Sequence, residues 1–256
     1  MDKELIKTYR LFLKDSIRKV VDFSQTDQNK RIHPPPIEKP YPPKAKRIDL
    51  PKYDQLKNID KIDLKAAIKN RESRRSYSNQ PLSLEELSFL LWATQGIRKK
   101  LDSGHALRTV PSAGCRHAFE TYLCVLNVQD LDQGIYRYLP LEHQLLFEFT
   151  EEDLNKKIRH AVLGQRYPGE AAVTFIWATI PYRMEWRYGI AAHKVIAIDA
   201  GHVCQNLYLA CEAIAAGACA IAAYDQEEMD KLLRIDGQNE FTIYLASVGK
   251  KLYESI

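Results

Sequence analysis

The chain has 256 residues, 45% hydrophobic and 27% charged, enough for one large globular domain or a domain with an appended arm. Its formal charge of +4 is spread along the chain rather than gathered in basic blocks, and no zinc-finger spacing, heptad run or aromatic RNA-reading signature occurs, which argues against nucleic-acid binding. The longest apolar stretches, near 171–180 and 213–224, fall short of the roughly 20 residues needed to span a bilayer, so no membrane role is expected.

In chain order, Leu5, Tyr9, Phe12, Leu13, Ile17, Val20 and Val21 form one helical stripe over residues 5–21, a helix that needs a partner surface. The opening Met1-Asp2-Lys3-Glu4-Leu5 lacks the plan of a signal peptide, and a cytoplasmic protein is expected. From His33 to Pro51 lie seven of the twelve prolines, an extended arm lying along a surface, a second subunit's included, or else a flexible linker. The sequence therefore divides into a helix and proline-rich arm, 1–61, and a compact domain, 62–256.

Within the domain, Arg71-Glu72-Ser73-Arg74-Arg75-Ser76-Tyr77 has the character of a phosphate grip. If it is extended, Arg71, Ser73 and Arg75 share one side, and two guanidinium forks with a hydroxyl suit a phosphate or cofactor carbonyls. A solvated surface junction is the alternative. Ser83-Leu84-Glu85-Glu86 is a capping box opening a helix that buries Leu84, Leu87, Leu90 and Leu91 and stops at Gly96. Residues 120–128, 135–139 and 144–149 read as an antiparallel meander, 151–163 as a helix and 172–180 as a buried central strand. A long helix over Asp199–Ala216, closed by Gly217, is followed by strands at 218–224 and 241–248 with a helix at 226–233 between them. Hairpins and helices without regular alternation predict an α+β fold.

Five cysteines without a C-x-x-C pair predict reduced thiols, and the scattered histidines predict no metal site, although His193 and His202 could approach one another. P-loop, G-x-G-x-x-G, H-E-x-x-H and G-x-S-x-G motifs are missing, which removes the nucleotide hydrolysis and Rossmann readings. What remains is a set of short segments poor in bulk. Pro111-Ser112-Ala113-Gly114-Cys115 leaves backbone amides open before a strand, Gly217 to Tyr224 is nearly bare of large side chains, and Val248-Gly249-Lys250-Lys251 brings cations to a strand end.

The order R-x-S-x-R, P-S-A-G, D-A-G-H-V-x-Q-N, G-A-C-A-I and V-G-K, from Leu64 to Leu252, resembles the nitroreductase superfamily of FMN-dependent oxidoreductases. Within it the chain is most similar to the azoline dehydrogenases of thiazole/oxazole peptide biosynthesis (SagB/ThcOx type). The resemblance implies an antiparallel sheet wrapped by helices and an intertwined homodimer with FMN at the subunit interface. It assigns Arg71, Ser73 and Arg75 to the FMN phosphate, ribityl chain and pyrimidine edge, and Lys250 to the phosphate. Pro111, Ser112, Ala113 and Gly114 would line the isoalloxazine, with Cys115 where many relatives carry Asn, and the amides of Ala222 and Ala223 would face N5 and O4. Arg187-Tyr188 stands where the azoline dehydrogenases carry a Lys-Tyr pair, and arginine is a poor general base. The implied activity is electron transfer from NAD(P)H to a nitroaromatic- or quinone-like acceptor. The alternatives are azoline oxidation on a modified peptide, with Tyr188 assisting, and a flavin-binding module without turnover.

Overall fold

The computed structural model describes residues 2–252. Asp2 caps α1 (Lys3–Arg10) by accepting from the Glu4 and Leu5 amides. The single helix expected through residue 21 is broken: 3-10 turns at Leu11–Leu13 and Asp15–Lys19 follow, hinged at an extended Lys14. Leu5, Tyr9, Phe12, Leu13 and Val20 are exposed, and so short a helix without tertiary burial has little to hold it beyond its caps.

The proline-rich stretch lies on the chain's own domain. Prolines supply carbonyls but no amides, and buried arginines accept the task of pairing them. Arg116 donates to Pro35 O at 3.4 Å, Arg108 to Ile37 O at 3.1 Å, and Arg137 to Lys39 O at 2.9 Å and Pro40 O at 3.2 Å. The arm then enters the sheet as β1 (Arg47–Asp49).

Glu38, on this arm, is buried and accepts from the Leu141 amide. Burial, with Glu120 and Glu142 nearby, pushes its pKa up from 4.5 to about 7 against the opposing pull of that amide and of Arg137. A carboxyl whose folded value is raised binds its proton more tightly in the native state, so stability falls as pH climbs from the unfolded value through about 7. Glu38→Gln keeps the acceptor and removes the ionisation. At pH 8 it is expected to raise unfolding stability by at most about 3 kcal/mol, and at pH 4 by almost nothing, as read from urea melts. An equal effect at both pH values would exclude Glu38 ionisation as the cause.

After α2 (Leu64–Asn70), the capping box forms as expected: Ser83 and Glu86 exchange bonds at 2.9 and 3.1 Å and open α3 (Leu84–Gln95), which ends at Gly96. A hairpin that the periodicity did not reveal follows, β2 (Ile97–Lys100) with β3 (Ala106–Arg108). β4 (Phe119–Val125), β5 (Gly134–Leu139) and β6 (Gln144–Phe149) make the expected meander. α4 (Leu154–Ala161) leads to β7 (Val173–Thr179), buried at every residue. Next come α5 (Tyr182–Tyr188), α6 (Ala192–Glu212), β8 (Ala216–Ile221), α7 (Gln226–Leu233) and β9 (Phe241–Lys250).

Both expected ends of the long helix move. The D-A-G-H-V run sits inside α6 rather than opening it, because Ala192 and Ile196 already extend the buried stripe one turn and more upstream. Gly217 does not close the helix. Ala215 takes the left-handed turn at φ 50°, and Gly217 lies in β8, where a Cβ would stand 2.5 Å from Arg74 Cδ.

All pairings in the seven-stranded sheet, ordered β1-β6-β5-β4-β7-β9-β8, are antiparallel. One core gathers α3 and α6 residues such as Leu87, Leu91, Val203 and Leu207 against Phe175, Trp177 and Val248; a second joins α4 and α7 to Tyr122, Ile176 and Leu245. This is the α+β architecture predicted, an antiparallel sheet between helical layers. Among the described residues no helix is long and apolar enough to cross a membrane.

Candidate active site

The arginine segment is extended and runs beside β8, with Ser73 bridging Ala218 in parallel register and the Arg74 amide donating to Ala218 O at 2.9 Å. It is fastened from one side by residues that fill glycine positions. Arg74 covers Gly217 and pairs with Glu72 at 2.8 Å; Tyr77 covers Gly249 and meets Ser247 Oγ at 2.8 Å. The small residues of β8 and β9 thus admit the chain's own side chains.

Arg71 and Ser73 point together, as alternation predicts, and both meet Tyr208 of α6. The guanidinium lies 5.3 Å from the ring centroid and Ser73 Oγ is 2.8 Å from the Tyr208 hydroxyl, which also accepts from the Ala220 amide at 2.8 Å. Arg75 settles over a different ring, Tyr167, at 5.9 Å. Among the described residues neither Arg71 nor Arg75 is ion-paired, whereas Arg74 between them is. Lys250 is engaged elsewhere, with Glu86 and with Ile214 O at 2.7 Å. The exposed Ala222 and Ala223 follow β8, and neither amide finds an acceptor among the described residues.

The second group of predicted residues forms one tight turn. Ser112 Oγ accepts from the His117 amide at 3.0 Å, and Gly114 and Cys115 both take left-handed φ, 61° and 55°. Arg187 and Tyr188, at the end of α5, close on this turn: a Cβ on Gly114 would stand 2.7 Å from Tyr188 Oη and 2.8 Å from Arg187 Cδ. Trp186 is 5% exposed and turned toward the arm. Its Nε1 donates to Ile32 O at 2.9 Å, and the Arg116 guanidinium covers its ring at 4.7 Å.

Gly114→Ala tests this closure. A left-handed non-glycine costs about 1 kcal/mol, and the methyl must also displace Arg187 and Tyr188. Gly164 has φ 79° with nothing within 4 Å of its Cβ position, so Gly164→Ala supplies the strain alone. The Gly114 variant is expected to lose more stability than the Gly164 variant in thermal melts. Equal losses would show that Arg187 and Tyr188 are not held by the turn.

Sequence reasoning passed over Asp199 and Tyr208 as site residues, although the first lay within a quoted motif. Asp199 is 4% exposed beneath the turn and one carboxylate oxygen has no partner. Burial raises its pKa, opposed by hydrogen bonding from Ser112 and Ala113 and by His202, whose ring nitrogen is 3.9 Å away. Tyr208 lies on the same helix nine residues on, about 13 Å along the axis at 1.5 Å per residue. α6 therefore carries the arginine-serine pair near one end and the small-residue turn near the other. His193 pairs with Glu185 at 2.7 Å instead of approaching His202, and among the described residues no three metal-ligating side chains converge.

An antiparallel sheet between helices, an extended R-x-S segment beside its edge strand and a left-handed small-residue turn over the long helix define the nitroreductase-like fold. The sequence model of the Nitroreductase family matches residues 68–250, and the chain belongs to that family. It is 30% identical over 198 residues to a candidate nitroreductase of Methanocaldococcus jannaschii, covering 77% of this chain and 96% of that protein. Among solved structures it resembles a candidate nitroreductase of Anabaena variabilis, with TM-score 0.66 and 23% identity over 82% of this chain. The chain spans 42% of that larger protein. It also resembles a chain of the Escherichia coli microcin synthetase McbBCD complex bound to truncated pro-MccB17, with TM-score 0.59, 19% identity, and 77% and 75% of the two chains covered.

Proposed function

We propose that this chain is an FMN-dependent oxidoreductase working as a homodimer in the cytoplasm, passing electrons from NAD(P)H to a nitroaromatic- or quinone-like acceptor. The observation that carries the proposal is the separation of two outward half-sites along α6. Arg71 and Ser73 gather at Tyr208, the turn gathers at Asp199, and a second copy would bring one copy's turn to the other's grip. The residues fit a flavin phosphate and ring: two guanidinium groups that have no carboxylate partner among the described residues, a hydroxyl, and two amides, at Ala222 and Ala223, open among the same residues. Lys250 joins them only by exchanging Glu86 for a phosphate oxygen. When bound, FMN supplies hydride chemistry at N5. The chain's own part is to hold the phosphate, present Pro111, Ser112, Ala113, Gly114 and Cys115 to the ring without bulk, and keep Tyr188 hydroxyl at the turn as a proton donor.

Trp186 lies under the arm rather than over the turn, which favours turnover above a passive flavin-binding role. Azoline oxidation is the second reading. The likeness to the microcin synthetase chain and the closeness of Tyr188 to the turn favour it, and Arg187 in place of lysine weighs against it. The visible spectrum of the purified protein, with mass identification of the molecule released on denaturation, tests the cofactor. Released FMN near one per chain supports the proposal. A colourless protein that takes up no added FMN removes it.

A further inference from the structure

A cleft of about 380 Å³ opens beside the small-residue turn, on the side of the β2–β3 hairpin. Arg98, Arg108, Thr109, Ser112, Cys115 and His117 line it, and among the described residues no aspartate or glutamate does. Arg108 is 4% exposed. Its terminal nitrogens go to neutral oxygens, Gln95 Oε1 at 2.7 Å and Ile37 O at 3.1 Å, and among the described residues it has no carboxylate partner. Its Nε is buried without an acceptor, and so is the amide nitrogen of Gln95 bonded to it. An orphaned Nε on a buried cation that Glu120 and Glu38 reach only from beyond ion-pair distance asks for an acceptor carrying negative charge, because an unpaired buried charge is costly.

Arg98 faces the same space from the mouth. The β2–β3 register shifts between Ile97 and Lys99, leaving Arg98 as the bulged residue, and a bulge turns a side chain out of its alternation. His117 adds no competing acid. Burial and the Arg108 charge hold it neutral, with its pKa pushed down to about 2, while Arg108, pushed down to about 10 by burial and Arg183, still carries its proton at neutral pH.

We propose that this cleft is an anion subsite, built by Arg108 and Arg98, that takes the carboxylate of a one-ring aromatic acid whose far end reaches the Ser112–Cys115 turn. The volume lies near the lower end for ligand pockets, which suits one ring and a carboxylate better than a dinucleotide. Treating that ring as the electron acceptor rests on the oxidoreductase reading; the binding of the carboxylate does not.

The test titrates the full chain, as purified, with 4-nitrobenzoate and its neutral isostere 4-nitrobenzamide, in wild type, Arg98→Gln and Arg98→Lys. Arg98 is exposed, so its variants should fold. Wild type is expected to bind the acid about tenfold more tightly than the amide, a preference that weakens with added salt. Arg98→Gln should erase most of the preference and Arg98→Lys should keep part of it. Equal binding of acid and amide by wild type, or an unchanged preference in Arg98→Gln, overturns the subsite. Turnover of both compounds by wild type is measured alongside. A preference for the acid without turnover upholds the subsite and removes the reductase reading, whereas turnover of both without preference removes the subsite alone.

Discussion

Glu120→Gln is expected to destabilise the protein by about 3–5 kcal/mol, the cost typical of removing one partner from a buried ion pair. Glu120 sits in β4 with its side chain 2% exposed, accepting from Arg183, from Arg137 at 3.2 Å and from the Lys39 amide at 2.8 Å. Burial alone would raise its pKa, but Arg183 and Arg137 outweigh burial and hold it below the usual carboxylate range. Glutamine keeps the shape and one acceptor yet leaves two buried guanidinium groups short of charge. Arg137 retains Glu148 at 2.9 Å, which limits the loss on that side. Because the folded pKa is depressed, the stabilisation is present above the unfolded value and is lost as pH falls through the folded one. The gap between wild type and variant should therefore narrow in acid. Urea melts at neutral and acidic pH measure both, and a loss below 1 kcal/mol at neutral pH would show that the cluster is already compensated elsewhere. The same change loosens the arm, since Glu120 and Arg137 together hold Lys39.

With the flavin site as proposed, replacing Arg71 and Arg75 together by alanine should leave the fold nearly intact and release FMN. Charge-assisted hydrogen bonds contribute about 1.5–3 kcal/mol each, so losing one from each arginine weakens FMN binding by roughly 10² to 10⁴. The two arginines lie over Tyr208 and Tyr167 at the surface, and no carboxylate is orphaned when they go. Lysine at both positions should recover part of the affinity, through charge without the planar fork. Flavin content per chain after gel filtration, with the melting curve as control, decides the matter. Unchanged flavin in the alanine variant would remove the phosphate grip.

Much of the fold was readable locally. The capping box at Ser83 and Glu86, the 226–233 helix and the buried run that became β7 are specified by residues within a turn or a few positions of one another, so neighbouring sequence suffices. The break in the first helix was not readable, because periodicity records which face wants burial and not whether a surface exists to bury it. The β2–β3 hairpin escaped because Arg98, Lys99 and Lys100 alternate with nothing apolar.

The sequence by itself determined the α+β class, the succession of strands from β4 to β9 and the family, since these depend on composition, spacing and local propensity. Only the tertiary structure decided that Arg71 and Arg75 part to different tyrosines, that Gly114 closes on Arg187 and Tyr188, and that Lys250 turns to Glu86. It alone brought Arg108 of β3 and the bulged Arg98 of β2 to one cleft where, among the described residues, no carboxylate lies between them. Those outcomes depend on which distant groups share a low-dielectric space, and the pairing of buried charge is settled across the fold rather than along the chain.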